Sequence, residues 1–215
     1  GYNRNGVKII APCSGLEGGH WGATHHAVED LALLRMIPGM TVLCPADPAE
    51  VTRAVRAAAE VDGPVYIRVG YIQSIEGYGG DFEIGRAPVM RDGSDVAILA
   101  TGASVAQAIA AHDLLKEQGV SAQVLNMHTI KPIDRQAIEA AATRIGRILT
   151  VEEHFVAGGL GGAVAEILAE LGTGRLRRLG LEDEFIMDVA AYPEILKLAG
   201  LDAASIATAA RSLVP

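Results

Sequence analysis

His20, Trp21, His25 and His26 crowd one glycine-rich stretch, Gly18-Gly19-His20-Trp21-Gly22-Ala23-Thr24-His25-His26. Imidazoles near neutral pH donate, accept or move protons, and an indole offers a stacking face with one donor. The segment Gly22 to Asp30 is expected to start a helix, with Thr24 as its cap and His25 in the first turn. There the positive end of the helix dipole disfavours imidazolium, and a neutral His25 suits orienting substrate oxygens. The competing reading is that His25 or His26 merely caps or packs the turn. A metal site built from His20, His25 and His26 lacks paired thiolates and is not expected. Glu29 and Asp30 read as first-turn acids that complement the dipole rather than as catalytic carboxylates.

Short apolar, β-branched runs must position this stretch: Val7 to Ala11, Thr41 to Cys44, Pro64 to Val69, Asp95 to Ala100, Ala122 to Met127 and Arg147 to Val151. Each is nearly continuous rather than alternating, as in parallel strands buried on both faces. Helical patterns lie between them. Ala27, Val28, Leu31, Ala32 and Leu34 gather one apolar face. Asp47, Pro48 and Glu50 form a helix start, and a helix from Ser104 to about Gln118 ends at Gly119. The fold class is therefore α/β with two parallel-sheet domains. The breaker-rich stretch from Gly70 to Gly93 places a boundary, giving residues 1–75, a linker at 76–93 and residues 94–215. The first domain has few strands, and the chain enters one almost at once with no initiator Met, so that domain is expected to be truncated.

In open parallel sheets, ligands gather beyond the carboxyl ends of strands, and the loop from Cys13 to Thr24 occupies that edge. A second glycine cluster, Gly158-Gly159-Leu160-Gly161-Gly162, superficially resembles a dinucleotide loop. Val164 stands where the last glycine of that fingerprint would fall, so a tight turn packing a helix closely on the sheet is the better reading. Glu152, Glu153 and His154 leave a buried strand, where they could meet a ligand or another subunit.

The formal charge of −8 repels polyanions, and no basic stripe with interleaved aromatics offsets it, which argues against nucleic-acid binding. Arg175, Arg177 and Arg178 read as a solvated face. Cys13 and Cys44 suit reduced thiols in a cytoplasm. No apolar stretch nears the roughly 20 residues needed to span a bilayer, so a cytoplasmic location away from membranes is expected.

Residues 22–50, GATHHAVEDLALLRMIPGMTVLCPADPAE, resemble the transketolase pattern in which a GPTHQ-type segment leads to an ED-containing helix, then IPNM and PAD. Met127 to Asp134, the TVEEH segment at Thr150 to His154 and GGLG at Gly158 to Gly161 resemble the transketolase C-terminal domain. These matches run in order along nearly the whole chain. The resemblance implies the end of a pyrimidine-binding domain followed by a transketolase C-terminal-like domain. It also implies a two-carbon ketol transfer from a ketose or ketose phosphate to an aldose, with thiamine diphosphate carrying the carbanion chemistry.

By the same resemblance, the diphosphate and Mg²⁺ sites belong mainly to an N-terminal partner subunit or an absent N-terminal half. The essential glutamate and the aromatics around the cofactor ring would lie there too, leaving this chain incomplete alone and self-associating into a dimer or heterotetramer. His25 matches a histidine that contacts substrate hydroxyls, with His26 beside it. Arg68 falls where transketolases place a substrate-phosphate arginine, with a surface ion pair as the competing role. Cys13 stands in place of a substrate-binding histidine and Trp21 in place of an acid that contacts a donor hydroxyl, which points to a modified or unusual sugar. Two alternatives remain open: the β subunit of a thiamine-dependent 2-oxoacid dehydrogenase, and a non-catalytic binding or regulatory module on a degenerate transketolase fold.

Overall fold

Five of the six apolar runs form interior strands in the computed structural model, which describes residues 1–215, whereas the run Val7 to Ala11, expected to be buried on both faces, becomes an edge strand with Ile9 and Ile10 exposed. In chain order the elements are β1 (Lys8–Ser14), α1 (Asp30–Arg35), β2 (Thr41–Leu43), α2 (Pro48–Ala59), β3 (Val65–Gly70), β4 (Val89–Arg91), β5 (Val96–Ala100) and α3 (Ser104–Glu117). They continue with β6 (Ala122–Asn126), β7 (Thr129–Lys131), α4 (Arg135–Arg144), β8 (Arg147–Phe155), α5 (Leu160–Leu171), β9 (Arg175–Leu181), α6 (Tyr192–Leu198) and α7 (Ala203–Arg211). Two mostly parallel sheets result, ordered β1-β3-β2-β7 and β4-β6-β5-β8-β9. No helix is long and apolar enough to cross a membrane.

The strands that sequence alone did not reveal lie at sheet edges. β4 runs antiparallel to β6 within the span expected to be linker, and β9 carries Arg175, Arg177 and Arg178 along the far edge. An edge strand has a solvent-facing side and can be short or charged, which removes the continuous apolar signal. β7 completes the first sheet by pairing antiparallel with β2, although it comes from the second half of the chain. Its Lys131 ammonium also donates to the Arg35 and Ile37 carbonyls at the end of α1.

The helix starts follow their capping chemistry. Asp47 accepts from the Glu50 N–H at 2.6 Å, with Pro48 at the first helical position. Glu50 reaches back to the Ala46 N–H rather than to Asp47. The two sheets share a core in which Leu31, Met40, Val42 and Tyr66 pack with Leu99, Leu125, Met127 and Ile148. A separate cluster with Val105, Ala108, Ile206 and Ala210 fills the other face of the second sheet.

The first unit sits on the carboxyl edge of the second sheet. Backbone hydrogen bonds there join Cys44 N–H to His128 O and Phe155 N–H to Val28 O. A Cβ at Gly102 would meet the Cys44 sulfur at 2.6 Å. The usual ligand edge of that sheet is thus occupied by protein, and the carboxyl edge of β1 and β3 remains for the loop after β1.

Candidate functional site

Near the end of β1, Cys13 is exposed and holds φ of +58°, and Gly15, just past the strand, holds +68°. A non-glycine residue in this region is uncommon and strained, and it turns the chain sharply out of the strand. Gly15 and Ala27 then exchange backbone hydrogen bonds of 2.9 and 3.1 Å, closing the base of the loop.

Inside the loop the chain makes two 3-10 turns, Glu17–Trp21 and Ala23–His25. The continuous helix expected from Gly22 to Asp30 is therefore corrected. His25 ends a 3-10 turn, His26 is extended at φ −84° and ψ 128°, and α1 begins only at Asp30. Ala27 must first pair with Gly15, which prevents helical geometry there. The dipole argument for His25 lapses with the helix, and Thr24 caps nothing; its hydroxyl lies 3.0 Å from His25 Nδ1.

Three rings meet at the loop tip. The His20 and Trp21 centroids are 4.0 Å apart, those of Trp21 and His25 are 5.4 Å apart, and Trp21 is 55% exposed. Such a surface can stack against the C–H face of a sugar while imidazole and indole nitrogens meet its hydroxyls. His20, considered in the sequence only as a metal ligand, belongs to this surface. His26 does not: its Nε2 is buried without a partner, and burial, with His25 nearby, lowers its pKa.

Arg68 lies beneath the loop at 4% exposure. Its Nε donates to both Asp30 oxygens at 2.9 and 3.2 Å, and its Nη2 donates to Ala27 O and Glu153 O at 2.8 and 2.7 Å. The surface ion pair expected as its competing role is corrected to a buried one, and the fork that would read a phosphate is engaged internally. Asp30 also accepts from the Tyr66 hydroxyl at 2.7 Å. Charge complementarity with Asp30 keeps the guanidinium protonated despite its burial.

Glu152, Glu153 and His154 prove to be internal, in contrast to the ligand or subunit contacts expected of them. The Glu152 carboxylate accepts from Leu160 N–H and Gly161 N–H at 2.6 and 2.7 Å, occupying the N-terminus of α5. A Cβ at Gly159 would lie 2.0 Å from Glu152 Oε2, which explains the glycine by close approach. Burial pushes the Glu152 carboxyl up to about 7, against those two hydrogen bonds. Glu153 accepts from Leu16 N–H at 3.0 Å and from the Tyr192 hydroxyl. His154 donates from Nδ1 to Phe155 O and accepts at Nε2 from Ala32 N–H, and its burial favours this neutral form.

The glycine cluster before α5 therefore does not fit a diphosphate, because a carboxylate already holds its N–H donors and would repel a second anion. A cavity of about 370 Å³ opens nearby, among Leu33, Phe155, Leu181, Glu29 and Glu182. None of Cys13, Trp21, His25, His26 or Arg68 lines it.

Two mostly parallel sheets sharing a core, with an exposed ring-bearing loop at the carboxyl edge of the first, place the chain in the α/β class. Comparison with known proteins narrows this class. Residues 2–71 match the transketolase pyrimidine binding domain, and residues 85–206 match the transketolase C-terminal domain. A putative transketolase C-terminal section from Methanocaldococcus jannaschii is 41% identical over 96% of this chain and 66% of its own length. An apulose-4-phosphate transketolase subunit of Phocaeicola vulgatus is 39% identical over 99% of this chain and 69% of its own. A solved split-gene transketolase, described as an inactive β4 tetramer, superimposes with a TM-score of 0.88 at 39% identity, covering 99% of this chain and 68% of that one. The chain belongs to the transketolase family, and it spans about two thirds of the length of the curated relatives it matches.

Proposed function

We propose that this chain is one subunit of a split, thiamine diphosphate-dependent transketolase, and that its Trp21–His25 loop receives the sugar. The observation that carries the reading is the exposed cluster of His20, Trp21 and His25, on and just before the segment that resembles the family's GPTHQ pattern, at the carboxyl edge of the pyrimidine-domain sheet. When bound, thiamine diphosphate supplies the carbanion that accepts and releases the two-carbon ketol unit. The glycine cluster before α5 does not fit its diphosphate, since Glu152 holds that helix start.

In this reading an N-terminal subunit, or residues outside this chain, holds the cofactor with its Mg²⁺. His25 orients substrate hydroxyls, with its ring steadied by Thr24 and Trp21. Trp21 stacks on the sugar, and a carboxylate is absent from its position, which favours a donor read by shape rather than by a charged hydrogen-bond acceptor. Arg68 contributes from below by holding the loop base, and its engaged guanidinium argues against a direct phosphate contact.

The test is reconstitution with an N-terminal thiamine diphosphate-binding transketolase subunit, assayed for pentose-to-heptose exchange and for carbon dioxide release from 2-oxoacids. Exchange without decarboxylation is expected from the pair and no turnover from this chain alone. His25→Ala is expected to lower kcat/KM by about 100-fold. Decarboxylation without exchange would replace this reading with that of a 2-oxoacid dehydrogenase β subunit. An inert pair would leave the non-catalytic module.

A further inference from the structure

The loop that carries Trp21 and His25 belongs to the first unit, yet the second unit holds it at several points. Leu16 N–H, at the start of the loop, donates to Glu153 Oε2 at 3.0 Å. Arg68 Nη2 bridges Ala27 O, at the loop's end, to Glu153 O. Beyond that end, Phe155 N–H donates to Val28 O at 3.0 Å. On the outer side, Ala190 N–H donates to Gly19 O at 3.3 Å. The other Glu153 oxygen accepts from the Tyr192 hydroxyl, and the Tyr192 ring packs on Tyr71 with centroids 4.3 Å apart. Tyr71 directly follows the carboxyl end of β3.

Glu153 is therefore the one side chain of the second unit whose carboxylate meets the loop backbone and the aromatic pair beside it. The fit is close: a Cβ on Gly15 would fall 2.5 Å from Glu153 Oε2. At 3% exposure the carboxylate has no water to fall back on if either donor is lost.

We infer that Glu153 is a positioning residue through which the C-terminal unit sets the geometry of the Trp21–His25 loop. Its effect on substrate rests on the function proposed above, but its effect on the loop does not. Glutamine at this position keeps an acceptor for Leu16 N–H and the same shape, whereas alanine removes both hydrogen bonds.

Trp21 is the only tryptophan in the chain, so its fluorescence reports the loop tip directly. In Glu153→Ala, amide exchange in residues 16–27 is expected to quicken by about tenfold, the scale of one buried hydrogen bond, with exchange in β5 and β6 unchanged. Trp21 anisotropy should fall in parallel. Glu153→Gln should restore both readouts to within about threefold of wild type. Tyr192→Phe, which keeps the ring and removes only the hydroxyl, gives a milder version if the alanine variant fails to fold. In the reconstituted pair, Glu153→Ala is expected to raise the sugar KM about tenfold and to leave cofactor affinity within about twofold.

Unchanged exchange and anisotropy in Glu153→Ala and Tyr192→Phe would overturn the inference. Equal loosening throughout β5 and β6 would overturn it as well, because Glu153 would then serve global stability. A loosened loop with an unchanged sugar KM would sustain the positioning role and sink the assignment of the loop as the sugar site.

Discussion

Asp30→Ala should be among the most damaging single substitutions in the first unit. The Asp30 carboxylate takes the Arg68 Nε at 2.9 and 3.2 Å and the Tyr66 hydroxyl at 2.7 Å, and the Arg68 and Asp30 side chains are 5% and 13% exposed. Alanine leaves a buried guanidinium without its carboxylate partner, still donating to the Ala27 and Glu153 carbonyls. Breaking one side of such a pair costs about 3–5 kcal/mol. At roughly 2–4 °C per kcal/mol for a chain of this size, the thermal midpoint should drop by about 6–20 °C.

The pairing can be separated from the loss of bulk by a double-mutant cycle. The cycle comprises wild type, Asp30→Leu, Arg68→Met and their combination, which removes both charges and should be more stable than Asp30→Leu alone. The double variant should still fall below wild type, because Arg68 also ties the loop base to β8. Circular dichroism melts of the four proteins, with urea titrations at a common pH, measure the cycle. A midpoint drop below about 2 °C for Asp30→Ala would refute the claim that the pair carries this junction.

Further expectations concern other parts of the chain. Gly159→Ala forces a methyl group against Glu152 Oε2 at 2.0 Å and should cost about 1–3 kcal/mol in chemical unfolding, whereas a neutral result would mean the turn has slack. His128 is buried against Phe82, and burial lowers its pKa to about 4 from 6.5. Its folded form resists protonation, so its contribution is complete above about pH 6.5 and is lost as pH falls toward 4. Relative to His128→Gln, wild type should lose up to about 3 kcal/mol across that window in pH-dependent urea titrations, and parallel curves would disprove it. Exposed Cys13 should react with a thiol reagent in the native protein, and buried Cys44 only after unfolding, which an absorbance titration distinguishes by stoichiometry.

Residue chemistry alone was enough for much of this architecture. The interior strands were legible because burial on both faces demands unbroken apolar runs, and α2 and α3 because their caps are local chemistry. The segment after β1 was legible as a loop because its glycines break the strand-and-helix pattern there. Edge strands β4 and β9 carried no such signal, and β7 is only a short stretch whose partner β2 lies far away in sequence.

The tertiary structure decided what the charged residues do. From sequence, Arg68 could have faced a phosphate or a surface acid, and Glu152 and Glu153 could have faced a ligand or a subunit. Their partners are backbone groups and side chains as much as 137 residues distant, such as Leu16 for Glu153. Only packing of the first unit on the carboxyl edge of the second sheet brings those groups together. A hydrogen bond needs atoms within about 3 Å, and no local pattern along the chain encodes which distant donor will arrive at that distance.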